Sequence, residues 1–233
     1  LIKPELCVIT NIGWDHMQFL GDTLAEIAAE KAGIIKSHTP VIIGSTQIET
    51  QAIFREKARQ LNAEIIFADQ KDIKEYDSDL KGYYQRENIH TAIVGLSNLN
   101  GFKLHSEKLK NGLLSVVDNT GIQGRWQVLN DAPKIIADVA HNKEGLGFTI
   151  PQIESHYYAR LHLVLGFVKD KAVGEILQLF PHDAHYYLAT PQIPRAMPIE
   201  DLKHIAQNLD IHHQIFPTVE AAFFTAKKQA DVM

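Results

Sequence analysis

A single cysteine among 233 residues leaves no internal disulfide to hold this chain together. Cys7 sits inside an apolar run, where it reads as a small buried hydrophobe in a reducing, cytoplasmic setting. Long hydrophobic runs are missing too: none approaches the roughly 20 residues of a membrane-spanning helix, so no membrane partner is expected. Positive charge is scarce. The 23 Lys+Arg against 28 Asp+Glu give a formal net charge of -5, which argues against nucleic acid as the main partner. The opening Leu-Ile-Lys-Pro lacks an initiator Met, a basic leader and a signal peptide. The closing Ala-Asp-Val-Met looks like a strand cut short, so both ends read as internal to a longer protein. No repeat or low-complexity segment is visible.

What is present is an ordinary core-forming composition, 45% apolar, in a length that suits one large domain or two modest ones. Short β-branched runs at 6–12, 40–44 and 64–68 read as buried strands. Between them, Thr23 and Glu26 have capping-box spacing ahead of a helix that Gly33 should end, and 49–61 suits a second helix. The polar stretch 69–81 reads as a loop, 85–99 as a helix with one apolar face, and 104–117 as another. Turn formers at 118–124 mark a boundary, dividing the chain into 1–120 and 121–233. Beyond it, strands at 134–139, 161–166, 185–189 and 211–216 alternate with helices at 144–155, 172–179, 198–208 and 219–230. Pro151 is expected to interrupt the first of these. Strands alternating with helices predict an α/β fold with parallel sheets, doubly wound in the second part.

Four places put polar residues at strand ends or helix starts. Asp15-His16 follows the first strand, with Lys31 in the last turn of the next helix; a lone histidine there is more often structural than a ligand, and the helix dipole accounts for the lysine. Gln85 and Asn88, three apart, share a face at the start of a helix; they either cap it or read the edge of a base. Arg125 at the boundary has the planar fork that suits a phosphate. Asp138 stands at a strand's carboxyl end, where α/β folds place ribose acceptors, and His141-Asn142 opens a helix whose N-terminus favours anions. A surface ion pair and a helix cap explain the same residues. Lys169, Lys171 and Arg195 are either solvated loop charges or an anionic-substrate site.

Taken in order, ITNIGWDHMQFLGDTLAEIAAEKAGIIK, GYYQRENIHTA, GRWQVL, ADVAHNKEG, GFVKDK and IPRAMP resemble the folylpolyglutamate synthase/dihydrofolate synthases of the Mur ligase superfamily, over nearly the whole chain. The resemblance implies the later part of a Mur ligase central ATPase domain at 1–120 and a Rossmann-like glutamate-ligase domain at 121–233. It implies a cytoplasmic, monomeric enzyme that passes the ATP γ-phosphate to a carboxylate of dihydropteroate or a folate. L-Glutamate then attacks the acyl phosphate to form an amide.

By the same resemblance His16 is a magnesium ligand and Lys31 is carbamylated to help hold a second Mg²⁺. Gln85 and Asn88 face adenine. Arg125, Asp138 and His141 contact ATP, and Lys171 lies near the incoming glutamate. An ammonium repels a cation, whereas a carbamate offers the oxygen anion a hard metal prefers. The family's phosphate loop, an upstream metal-binding acid and much of the pterin pocket have no counterpart in these residues, and 69–82 is shorter than the family's. This piece alone is therefore expected to be inactive. The alternatives are another Mur ligase acting on a UDP-muramoyl substrate, disfavoured by GRWQ, DVAHN and IPRA, and a non-catalytic nucleotide-binding module.

Overall fold

The computed structural model describes residues 2–14, 17–169 and 171–231. It divides into two compact units, 1–127 and 128–233.

In the first unit, β1 (Cys7–Ile9), β2 (Val41–Ile43) and β3 (Ile65–Phe67) form a parallel sheet in that order. The register pairs Ile9 with Ile43 and Ile43 with Phe67. All of β2 is buried, as a strand covered on both faces requires. Successive side chains point to opposite faces: Val41 and Ile43 join Phe54 and Ala28 in one cluster, while Ile42 joins Ile66 and Val94 in the other. The first face is covered by α2 (Leu24–Lys31) and α3 (Gln51–Gln60), the second by α4 (Gln85–Ser97). A sheet that grows one strand at a time in one direction, with both crossover helices on one face, is what right-handed crossovers produce. A short helix, α1 (Met17–Leu20), precedes α2 and was not anticipated.

The capping box is present with one change of partner. Thr23 Oγ accepts from Glu26 N at 3.1 Å, but the Glu26 carboxylate accepts from Asp22 N at 2.9 Å rather than from Thr23 N. Gly33 does not stop α2 in a left-handed cap; a 3₁₀ turn, Ala32–Ile34, carries the chain through it. The helix expected over 104–117 is two, α5 (Ser106–Leu113) and α6 (Val116–Thr120). Asp79 explains the break. Its backbone N donates to Leu113 O at 3.2 Å and its carboxylate accepts from Val117 N at 2.8 Å, taking both ends of what would be one helical hydrogen bond.

In the second unit, β4 (Gln127–Asp131) and β5 (Lys134–Ala137) pair as a two-stranded ladder. β4 escaped the sequence because Val128 and Leu129 are exposed rather than part of a buried run. A parallel sheet of β6 (His162–Gly166), β7 (His185–Ala189) and β8 (His213–Phe216) follows, again in chain order. Leu146 and Ile150 of α7 (Lys143–Glu154), Ile176 of α8 (Val173–Leu177) and Leu202 of α9 (Ile199–Asn208) pack with Leu163 and Leu188 on one face. Ala222 and Ala226 of α10 (Val219–Ala230) meet Tyr187 and Ala189 on the other. Pro151 lies inside α7 without interrupting it. The carbonyl it deprives of a donor belongs to Gly147, an exposed residue where water can substitute. Among the described residues no helix is long and apolar enough to cross a membrane.

Candidate functional site

The carboxyl ends of parallel strands are where α/β folds collect ligand-binding loops, and each unit has such an edge. In the first unit the three strand ends are tied across by side chains. After β1, the backbone of Ile12 is held by the Gln47 amide: Ile12 N donates to Oε1 and Nε2 donates to Ile12 O, both at 2.8 Å. One residue before, Thr46 is held from the other side by Asp69, just past β3. Thr46 N and Oγ donate to the Asp69 carboxylate at 2.7 and 2.8 Å, and Gln70 Nε2 donates to Thr46 Oγ at 2.9 Å. A β-carbon on Gly44 would lie 2.3 Å from Thr10 O, so only glycine lets these strand ends approach so closely.

Asp15 and His16, predicted to follow this edge, lie outside the described residues. Lys31 is exposed at the end of α2. The cation that bonds a carbonyl at that helix end is Lys36, whose Nζ donates to Gly33 O at 2.8 Å. Among the described residues no group of three or more His, Cys, Asp or Glu is arranged to hold a metal ion. Lys31 as an ammonium has no lone pair to offer one, so the described side chains do not by themselves constitute a metal centre.

Gln85 and Asn88 stand together at the start of α4, with Asn88 Nδ2 donating to Gln85 Oε1 at 3.1 Å. Gln85 is 5% exposed and Asn88 is exposed. The pair therefore presents an oriented Asn88 amide to solvent, braced from beneath. One turn on, His90 Nε2 lies 2.9 Å from Ala68 O, joining α4 to the end of β3. Gln47, Asp69 and His90 were missed by the sequence reading. Each bonds a partner more than twenty positions away, a relation that no local spacing announces.

In the second unit the loop between β5 and α7 is closed by its own side chains. Asp138 Oδ1 accepts from Ala140 N at 2.8 Å, His141 Nδ1 lies 2.9 Å from Val139 O, and Asn142 caps α7 by accepting from Gly145 N at 2.9 Å. Asp138 and Asn142 are half-buried, and His141 is exposed. The loops after β6 and β7 are joined as well. Lys169 N donates to Arg195 O and Met197 N to Phe167 O, both at 3.0 Å, with Val168 bridged to Ala196. GFVKDK and IPRAMP, far apart in sequence, are thus one structure, which gathers Lys169, Lys171 and Arg195 at this edge. Arg125 is half-buried in the first unit, beside Gly124 and the positive-φ residue Trp126.

Comparison with known proteins bears on both units. Residues 1–130 match the Mur ligase middle domain and residues 124–232 the Mur ligase glutamate ligase domain. A dihydrofolate synthase/folylpolyglutamate synthase from Bacillus subtilis is 29% identical over 229 residues, covering 87% of this chain and 52% of the relative. Its Escherichia coli counterpart is 24% identical over 248 residues, covering 100% and 57%. The chain spans about half the length of the curated relatives it matches. The solved Mycobacterium tuberculosis folylpolyglutamate synthase complexed with ADP and AMPPCP superposes with a TM-score of 0.86 at 23% identity, covering 98% of this chain and 57% of that one. Both units therefore share the fold of that enzyme.

Proposed function

We propose that this chain, which belongs to the Mur ligase family, is part of an ATP-dependent ligase that adds L-glutamate to dihydropteroate, to a reduced folate, or to both. The observation that carries this reading is the succession of two family domains, the middle domain and then the glutamate ligase domain, over nearly all of the chain. The names of its relatives add the substrate class. A solved bifunctional synthase of the same fold, bound to Mn, AMPPNP and L-glutamate, is consistent with nucleotide, divalent metal and amino acid as ligands.

In this reading the reaction has two steps. The substrate carboxylate attacks the ATP γ-phosphorus and ADP leaves, giving an acyl phosphate; the glutamate amine then attacks the acyl carbon, an amide forms and phosphate departs. Positioning and charge stabilisation do most of the work in such transfers. Asn88, oriented by Gln85, meets the adenine edge. Arg125, Asp138 and His141 contact the nucleotide, with Arg125 pairing to phosphate oxygens and the Asp138 carboxylate accepting from hydroxyls. Lys171, in the loop after β6 of the second unit, attracts a glutamate carboxylate. Magnesium, at two sites, would neutralise phosphate charge when bound, and His16 with a carbamylated Lys31 are the residues of this chain assigned to it. The protein acts as a monomer in the cytoplasm.

The test is phosphate release by the intact protein. ATP and L-glutamate are supplied with dihydropteroate, tetrahydrofolate or a UDP-muramoyl peptide in turn. Release with either of the first two supports the reading. Release only with the third makes the protein a peptidoglycan-type ligase, and nucleotide binding without release in any mixture makes it a non-catalytic module.

A further inference from the structure

The amide of Gln47 makes two hydrogen bonds to one backbone residue, which is how a neighbouring strand would grip it. The ladder between β1 and β2 closes where Gly44 N donates to Ile9 O at 2.8 Å. Three residues on, Gln47 takes the place of a strand, satisfying both the N–H and the C=O of Ile12 at 2.8 Å. Ile12 itself is 3% exposed, so those two backbone groups need protein partners. Gln47 is not free to follow the loop if the loop moves. Its own carbonyl accepts from Thr50 N and Gln51 N at 3.2 and 2.9 Å, at the start of α3, and its neighbour Thr46 is fastened to Asp69. The loop at 10–13 is therefore fixed to α3 and β3 through one side chain.

We infer that Gln47 is a positioning residue for the ligase reaction, acting through the backbone of Ile12 to set where the loop at 10–13 stands on the carboxyl edge of the first sheet. This rests on the ligase reading, in which that loop leads in sequence to His16, the residue assigned there to magnesium. Gln47 touches no reactant, and its contribution is geometric. Where a transfer depends on aligned groups, small displacements cost large factors in rate. The chemistry of the clamp also sets what can replace it. It needs an acceptor for an N–H and a donor for a C=O on the same planar group. A glutamine has both, a methionine of similar shape has neither, and a glutamic acid has both only while protonated.

The experiment is made in the intact protein with Gln47→Met and Gln47→Glu, following phosphate release from ATP with L-glutamate and the preferred pterin substrate. Hydrogen exchange is followed at the Ile12 amide and melting in each variant. Gln47→Met should exchange faster at Ile12 and lose roughly 10- to 100-fold in kcat. The KM for glutamate, whose contacts lie on the second unit, should change less than about threefold, with melting still cooperative. Gln47→Glu should likewise lose activity at neutral pH, because a carboxylate keeps the acceptor for Ile12 N but has no donor for Ile12 O. A loss of rate no larger than the loss of folded protein, an unchanged kcat in Gln47→Met despite faster exchange, or a Gln47→Glu as active as wild type would each overturn the positioning role. A wild-type protein that releases no phosphate overturns the ligase reading itself, and the role falls with it.

Discussion

His162 and His185 stand side by side as the first residues of β6 and β7, their ring centroids 5.4 Å apart. This is the amino end of the sheet, opposite the loops that carry the candidate site. Tyr187 Oη donates to Gln229 Oε1 at 2.6 Å, so its bond to His162 Nδ1 at 2.9 Å must be donated by the imidazole. That fixes the Nδ1–H tautomer and leaves Nε2 as a buried lone pair without a partner. His185 Nδ1 is likewise buried and unpartnered, and the His212 ring lies tilted against His185 with centroids 4.3 Å apart. Burial first, then the neighbouring histidines and Arg160, push both His162 and His185 below their ordinary value of 6.5.

The consequence is an acid-sensitive second unit. A histidine whose pKa is lower folded than unfolded binds its proton more readily in the unfolded chain, so acid favours unfolding. The contribution to stability is fully present above about pH 6.5 and declines as pH falls from there towards the folded values. Urea denaturation midpoints of the second unit should fall between pH 7.5 and 5.5. Changing His185→Gln should flatten that slope while leaving the candidate site's edge untouched. A slope of the same steepness in His185→Gln would assign the acid sensitivity elsewhere.

Tyr187→Phe should be costly for a change of one oxygen. The side chain is fully buried, and its hydroxyl satisfies both His162 Nδ1 and Gln229 Oε1. Removing it strands two groups at once, for which about 2–3 kcal/mol is expected. Tyr186→Phe is the control. Burial, with Asp183 adding to it, pushes the Tyr186 phenol up to about 12. Its one bond, to Pro181 O at 2.9 Å, joins an acceptor near the surface, so about 1 kcal/mol is expected. Chemical denaturation of both variants gives the comparison.

The parts of the fold legible in sequence were those with local causes. A β-branched run marked β2, an aromatic and apolar run marked β7, and the bounds expected for α10 match those observed, where Thr218 caps the start by accepting from Ala221 N at 3.1 Å. The 104–117 helix failed for a non-local reason, Asp79 reaching in from thirty-odd positions away to occupy both sides of the break. Pro151 failed as a helix breaker because an exposed glycine sits four residues before it. The candidate site divided in the same way. Gln85 with Asn88 and Asn142 ahead of α7 were legible from their spacing. Gln47 and Asp69 were not, since a glutamine after a strand says nothing of the backbone it will grip.

Gly44→Ala tests the closeness of the first unit's strand ends. The added methyl would lie 2.3 Å from Thr10 O and 2.8 Å from Thr91 Oγ. The hydroxyl can turn aside, but the carbonyl belongs to the backbone that leads to Ile12. Either β1 separates from β2 at this point or the loop is displaced, at a cost of about 2–3 kcal/mol. Denaturation measures the cost, and faster hydrogen exchange at the Ile12 amide would show that the strain reaches the Gln47 clamp.

Asp138 offers a way to divide a folding role from a binding role. Its Oδ1 accepts from Ala140 N, and an asparagine can do the same with its amide oxygen. Asp138→Asn should therefore keep the loop, changing stability by less than about 0.5 kcal/mol, whereas Asp138→Ala should lose about 1 kcal/mol. If the carboxylate also receives nucleotide hydroxyls, both variants should raise the KM for ATP in the intact protein, about tenfold, because charge-assisted bonds are lost in each. A normal KM in Asp138→Asn would leave the residue a loop-closing role alone.

Lys31 carries the last prediction, and its chemistry makes the result directional. The helix end is already served by Lys36, which bonds the Gly33 carbonyl, so a purely electrostatic role for Lys31 predicts a small effect on removal, a few tenths of a kcal/mol. A carbamate at Lys31 predicts something else. Lys31→Ala should abolish phosphate release in the intact protein while leaving its denaturation midpoint nearly unchanged, and Lys31→Arg, which cannot be carbamylated, should be as inactive. Short carboxylic acids such as acetate, small enough to occupy the volume vacated in Lys31→Ala, should restore part of the rate by supplying the missing oxygen anion, and should do nothing for Lys31→Arg. Depletion of bicarbonate should slow the wild type and leave the acetate-rescued variant unaffected. Wild-type turnover indifferent to bicarbonate, together with no rescue, would return Lys31 to the status of a surface cation.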